Sequence, residues 1–194
     1  MTSTQKIVRI ALLSALSFVL MFFVHFPLPG FPTYLKYDPS EIPALIGTFS
    51  LGPMAGVVIQ IVKNVLFLLS GRSEAGLIGV AANFTAGGSM VLVAGLVYQW
   101  RRTRGGAILA LVTASLITPI VMALANYHFF FPVYGIPKEA AAPLITSVVV
   151  PFNLIKTGMS SLGTFVLYKK TCKILGLGRD TMPSQVPAME RTGR

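Results

Sequence analysis

The sequence predicts an all-α fold: an integral membrane bundle of six transmembrane helices with both termini cytoplasmic. Three observations predict it. Of 194 residues, 54% are apolar and only 11% are charged, against about 25% charged in an ordinary soluble domain. Runs free of acidic and basic residues extend from Ile10 to Leu35, Ile42 to Val62, Ala75 to Trp100 and Gly105 to Pro137, and a bilayer span needs about 20 such residues. The net charge of +10 collects mostly in short basic clusters at the ends of these runs, where the positive-inside rule puts it.

The elements follow in order. Span 1 covers Ile7 to Val24. Its apolar run starts after Lys6 and Arg9 as a signal peptide's would, but Phe26-Pro-Leu-Pro-Gly30 comes next in place of a small-residue cleavage site, so the run is expected to stay. A loop rich in Pro, Gly and aromatics leads to span 2, Ser40 to Leu51, which Gly52-Pro53 breaks because proline cannot continue the helix ladder. Span 3 covers Pro53 to Leu69, and Gly71 to Glu74 make a polar turn. Span 4 covers Ala75 to Trp100, span 5 Ala107 to Phe129, and span 6 Ala142 to Tyr168, with a loop holding Pro132, Gly135 and Pro137 between the last two. Residues 1–175 make one six-span domain; residues 176–194 are polar, carry two prolines and are expected to be a disordered cytoplasmic tail.

Span 2 is short, and charge parity argues for it. Lys6/Arg9, Arg101/Arg102/Arg104 and Lys169/Lys170/Lys173 should share the cytoplasmic side. That requires an even number of crossings between the first two clusters, so the stretch from Ser40 to Leu69 must cross twice. The loops around Tyr34, Arg72 and Lys138 then face outside.

Polar groups inside spans are costly and mark function. Here they are Lys63, Asn64, Asn83, Asn126, Asn153 and Lys156. Counted from the outer end of each span, all fall between the outer rim and about the midplane, which points to a polar cavity open to the outside. Amides alone also serve as helix-to-helix glue. Asp38, Glu41, Glu74 and Glu139 are expected in outer loops or at span ends, so the two lysines need carbonyls, a rim acid or a ligand as partner. Asn153 and Lys156 are three apart and share a helix face. Together they offer amide donors, an amide acceptor and an ammonium, a set suited to a flat ring with alternating carbonyls and N–H groups. Without a buried acid, a cationic substrate is disfavoured. Phe26, Phe31, Tyr34 and Tyr37 in the first loop suit either a lid over an aromatic ring or an interfacial aromatic belt. Ala11 and Ala15, like Gly52 and Gly56, are small-xxx-small pairs that let helices approach closely.

Several classes are disfavoured. The basic residues cap apolar runs and make no nucleic-acid surface. The one cysteine, Cys172 near the end of the last span, excludes an internal disulfide and a cysteine metal cluster. No G-x-x-x-x-G-K-[ST], H-E-x-x-H or G-x-S-x-G is present, and His25 and His128 sit at span ends. Solute binding is the better reading, with no enzyme chemistry and no cofactor; a membrane enzyme or a stand-alone carrier is the alternative from another class.

Six spans in under 200 residues with Ala11-x-x-x-Ala15 resemble the substrate-binding (S) components of energy-coupling factor (ECF) vitamin transporters. Tyr34-Leu-Lys-Tyr-Asp-Pro-Ser-Glu-Ile-Pro-Ala-Leu-Ile-Gly47, Gly52-Pro-Met-Ala-Gly56, Lys63-Asn64, Asn83-Phe84, Asn126-Tyr127 and Phe152-Asn153-Leu-Ile-Lys156 are similar to the riboflavin-specific members. The resemblance covers about residues 5 to 175; Thr157 stands where those members have Gly. It implies a multi-pass protein of a prokaryotic cell membrane that takes up riboflavin, with FMN left open, in a pocket on the outer side. Asn126, Asn153 and Lys156 would contact the flavin ring, with Asn83, Asn64, Lys63, Tyr34 and Phe31 as further candidates, and the first loop would cap it. Ala11 and Ala15 would face the membrane-embedded coupling (T) subunit, and two cytoplasmic ATPases would power release. Another neutral or anionic vitamin is the alternative within the class.

Overall fold

The computed structural model describes residues 2–174. The tail 176–194 lies outside the described residues, as do the side chains of Cys172, Lys169, Lys170 and Lys173.

Helix α1 (Ser3–Phe23) starts from a reciprocal cap. The Thr2 hydroxyl accepts from the Gln5 backbone N–H at 3.3 Å, and Gln5 Oε1 accepts from the Thr2 backbone N–H at 3.2 Å. Two donors that a helix start leaves orphaned are thereby satisfied. Leu13, Ser14, Ser17 and Met21 form its buried stripe, while Ala11 and Ala15 point away from the bundle beside exposed Leu12, Leu16 and Val19.

The loop that follows is partly ordered as a hairpin. Strand β1 (Phe26–Pro27) pairs antiparallel with β2 (Lys36–Tyr37), Phe26 opposite Tyr37 and Pro27 opposite Lys36. Two-residue strands are too short for a sequence period to show.

Helices α2 (Glu41–Leu51) and α3 (Pro53–Leu69) fold back on each other across one residue, Gly52, at φ +103°. Only glycine takes that conformation readily, and Pro53 sits in the first turn, where its missing N–H removes no helical bond. A Cβ at Gly56 would overlap Thr48 Oγ1 of α2, so the Gly52–Gly56 pair serves packing inside the bundle.

Helix α4 (Gly76–Trp100) packs between α3 and α5 (Arg104–Ala125). A π turn, Asn126–Phe130, carries α5 on into the short α6 (Phe131–Val133). Helix α7 (Lys138–Leu144) passes through a second π turn, Ile145–Val149, into α8 (Val150–Ile174). The last two spans are thus longer than expected: helix runs over 104–133 and resumes at 138, and the loop shrinks to 134–137. Thr103 caps α5, its hydroxyl accepting from the Gly106 N–H at 3.1 Å. Pro132 lies in the first turn of α6 and Pro137 just before α7, positions where a proline ring fits a helix. Of the prolines read as loop markers, Pro137 precedes a helix start, and Pro132 follows the first π turn within the helical stretch 104–133.

Four stretches have the length and hydropathy of a membrane crossing: Ser3–Phe23, Gly76–Trp100, Arg104–Val133 and Lys138–Leu167. The 11 residues of α2 reach only ~16 Å at 1.5 Å per residue. The exterior is apolar, with Leu12, Leu116, Ile120 and Leu162 all more than half exposed, while Lys63, Gln60 and Glu41 are fully enclosed. A soluble domain keeps such charged groups at its surface; a bilayer reverses the preference.

The bundle has a filled end and a hollow end. Leu45, Phe49, Ile59, Met90, Val91, Ala94, Ala110, Leu111 and Ala114 fill the first, where α2 and α4 end and α5 begins. At the other end Ala86, Met122, Phe131, Ala141 and Val149 form a smaller cluster, and a cavity opens beside it.

Candidate functional site

The cavity holds about 580 Å³, within the size range of small-molecule sites. It is lined by Asn83 and Ala86 of α4, Met122 of α5, Asn126 and Phe130 of the first π turn, Phe131 of α6 and Val149 of the second π turn. Phe152, Asn153 and Lys156 of α8 also line it, and Tyr34, Leu35 and Lys36 of the hairpin loop make the roof. Both π turns border it. Such turns reset the helical register and recur at functional sites.

The amides are held in place by their own helices. Asn126 Nδ2 donates to the Met122 carbonyl at 2.7 Å and Asn153 Nδ2 to the Val149 carbonyl at 2.8 Å. Each retains an oxygen acceptor and a second N–H. Asn83 Oδ1 is buried without a partner, although its residue borders the cavity.

Lys156 Nζ lies 3.4 Å from Asp38 Oδ2, and both side chains are buried. Asp38 Oδ1 accepts from the Ser40 backbone N–H at 3.2 Å and from the Ser40 hydroxyl. Burial by itself would raise the Asp38 pKa, but the Lys156 and then the Lys63 charge, with the Ser40 hydrogen bonds, bring it down to about 2. Next to this pair, Lys63 Nζ donates to Glu41 Oε1 at 2.8 Å and to Ser40 Oγ at 2.7 Å, and Gln60 Nε2 donates to Glu41 Oε2.

This network corrects the expectation that the buried lysines lack buried acids. Asp38 is 3% and Glu41 1% exposed. The hairpin and the start of α2 sink into the bundle, so residues at a span end in the sequence lie inside in the fold. The four charges balance, and the argument against a cationic substrate from the lack of a buried acid falls with the expectation. Ser40 and Gln60 were not singled out at all. The legible signal was Asp38-x-Ser40 followed by Glu41 at a helix start, where acidic groups favour the dipole, together with Gln60 three residues before Lys63.

Of the expected contact residues, Asn126, Asn153, Lys156, Asn83 and Tyr34 line the cavity. Lys63, Asn64 and Phe31 do not. Lys63 turns toward α2, and Asn64 Nδ2 donates to the Gln60 carbonyl at 2.8 Å. Phe31 packs edge-on against Phe152 at 5.6 Å between centroids, behind the wall. With Tyr37 buried among Leu28 and Phe152, the first loop packs inward as a roof. The walls from Phe130, Phe131, Phe152 and Met122 were missed, because an apolar residue at helical spacing looks the same whether it faces core, lipid or cavity.

A smaller recess of about 200 Å³ adjoins the cavity, lined among others by His25, Asp38, Arg72 and Glu74. Lys36 and Glu74 border both spaces and pair at 2.5 Å, joining the roof to the α3–α4 turn.

An apolar exterior around a solute-sized cavity lined by amides and an ammonium defines a membrane-embedded solute-binding protein. Residues 5–168 match the family model "ECF transporter, substrate-specific component", and the chain belongs to that family. It is 35% identical over 181 residues to "Riboflavin transporter RibU" of Staphylococcus aureus (strain TCH60), covering 90% of this chain and 94% of that one. It is 33% identical over 160 residues to "Riboflavin transporter FmnP" of Bacillus subtilis (strain 168), covering 78% and 84%. A solved structure described as "Structure and mechanism of the S component of a bacterial ECF transporter" superposes with a TM-score of 0.79 at 34% identity, covering 90% of this chain and 99% of that one.

Proposed function

We infer that this chain binds riboflavin and is the substrate-specific subunit of an ECF transporter, a multi-pass protein of a prokaryotic cell membrane. The observation that carries the reading is the 35% identity to a riboflavin transporter across 90% of this chain and 94% of that one. The cavity's chemistry supports it. A flavin ring is flat, with carbonyls, ring nitrogens and an N–H along one edge. Phe130, Phe131 and Phe152 offer apolar faces, and Asn126, Asn153 and Lys156 offer donors and acceptors. Asn83, with its unpartnered oxygen, and Tyr34 complete the contact set; Lys63 and Asn64 hold the frame, and Phe31 backs the wall. The chain is a carrier, with no catalytic role and riboflavin as its cargo. Purified protein should be yellow and should quench the fluorescence of added riboflavin to one equivalent. Colourless protein with no quenching would refute the reading. FMN carries the same ring, and the same titration with FMN tests whether a phosphorylated tail is accepted.

The partners are a membrane-embedded coupling subunit and two ATPases. Ala11 and Ala15 are exposed on α1 and permit close helix contact. Ala15→Trp should leave riboflavin binding intact and abolish uptake; loss of binding by the purified variant would place this face inside the fold. The chain crosses the membrane six times, α2 and α3 together making the second and third crossings, with both termini cytoplasmic. A cysteine at Lys138 should react with an impermeant thiol reagent in intact cells and one at Arg102 should not, with Cys172 removed first. The reverse pattern would break this topology.

A further inference from the structure

Two buried lysines each meet one buried carboxylate, but only one lysine borders the cavity. Lys63 is clasped by Glu41 at 2.8 Å and Ser40 at 2.7 Å, and neither Lys63 nor Glu41 borders either space. Lys156 borders the cavity, and its carboxylate, Asp38, borders only the smaller recess. Asp38 therefore meets the ammonium from outside the larger space. The contact of 3.4 Å is long for a charge-assisted hydrogen bond, which is usually about 2.7–2.9 Å. An ammonium carries three donors, and Asp38 engages one of them loosely. Ser40 keeps Asp38 in place through its N–H and its hydroxyl, so the carboxylate does not depend on Lys156 for its position.

An ammonium alone in an apolar cavity draws in a counter-ion, because an unpaired buried charge is costly. An ammonium already balanced by a carboxylate outside the cavity offers hydrogen bonds with no net charge to satisfy. We propose that Asp38 is a positioning residue that sets the cavity's charge selectivity: by neutralising Lys156 from outside the larger space, it makes the lysine a donor to an uncharged carbonyl rather than an anion receptor. As applied to riboflavin, this rests on the function assigned above.

The test replaces gluconate with chloride at constant ionic strength and follows two readouts on the purified full chain, the melting temperature and the riboflavin Kd. Wild type should show no change in either. In Asp38→Asn the anion fills the uncompensated site: chloride should raise the melting temperature, and by competing it should weaken riboflavin binding about tenfold when present at about ten times its own Kd. Asp38→Glu keeps the carboxylate and should behave as wild type. A folded Asp38→Asn that responds to chloride as wild type does would overturn the proposal. If Asp38→Asn fails to fold, Asp38→Asn/Lys156→Met should fold again, since removing both charges leaves none unpaired; a double variant no more stable than the single would equally overturn it. Wild type that binds no riboflavin would defeat the assigned function alone, and the chloride effect on melting would still decide the role of Asp38.

Discussion

Lys63 and Lys156 look alike as residues: each interrupts an apolar stretch, and each has an asparagine within three residues. The fold makes them different. Lys63 is wholly enclosed and bound to Glu41 and Ser40, with Gln60 completing the carboxylate's second oxygen. Lys156 sits at the cavity wall with one loose partner. A buried charge whose bonds are all made within the protein holds the frame together. One with donors to spare at a cavity is available to a ligand.

Three substitutions test that contrast, and the largest effect belongs to the frame. Lys63→Ala leaves Glu41 buried with only Gln60 as partner, and removing one member of a buried pair costs about 3–5 kcal/mol. The melting temperature should drop steeply, while the fraction that stays folded binds riboflavin nearly as wild type does. Weakened binding without lost stability would place Lys63 at the ligand and dissolve the distinction. Lys156→Ala should show the opposite balance. A charge-assisted hydrogen bond to the ligand is worth about 1.5–3 kcal/mol, so affinity should fall roughly 10- to 150-fold, with a smaller loss of stability because Ser40 still donates to Asp38. Paired with Asn153→Ala the effects should be less than additive, since both groups grip one rigid ring. Fluorescence titration beside a melting curve for each variant separates the two lysines, and unchanged affinity in a folded Lys156→Ala would remove it from the site.

The smallest effect is expected at the roof. Lys36 and Glu74 pair across an exposed gap, and exposed pairs contribute little. Glu74→Gln should speed riboflavin dissociation by less than about fivefold, read by stopped-flow fluorescence, with melting unchanged. Hydrogen bonding to Lys36, and then its charge, hold Glu74 below its ordinary value of 4.5. The pair is therefore complete at neutral pH and through the ordinary glutamate range, and opens only as pH falls through the lowered value. Wild-type dissociation should stay flat from neutrality down to about 4.5 and rise below it. Acceleration nearer neutrality would show that Glu74 is not the group whose protonation opens the roof.

Much of the fold was legible because bilayer-spanning helices announce themselves by length and hydropathy. The four long stretches and the Gly52-Pro53 break all lie close to where the apolar runs put them. The roof was half legible: its aromatics stood out, but two-residue strands carry no period. The ends of the last two spans were misplaced because proline usually reads as a helix breaker, whereas Pro137 stands at a helix start and Pro132 follows a π turn inside the helical stretch 104–133.

The site divides along the same line. Asn126, Asn153 and Lys156 stood out as polar groups in apolar helices, which a bilayer makes costly, but the same signal picked out Lys63 and Asn64, which do not border the cavity. By itself, then, the sequence determined the membrane class, the long helices and the short roster of polar groups that a bilayer makes expensive. What it left open was which of them meet. Asp38 and Lys156 are 118 positions apart, and no local pattern links them. Hydropathy and periodicity report on neighbours within a turn or two, whereas the pairing of buried charges depends on how deep the start of α2 sinks between α3 and α8. Only the packing of those helices decided that one lysine would hold the frame and the other would border the cavity.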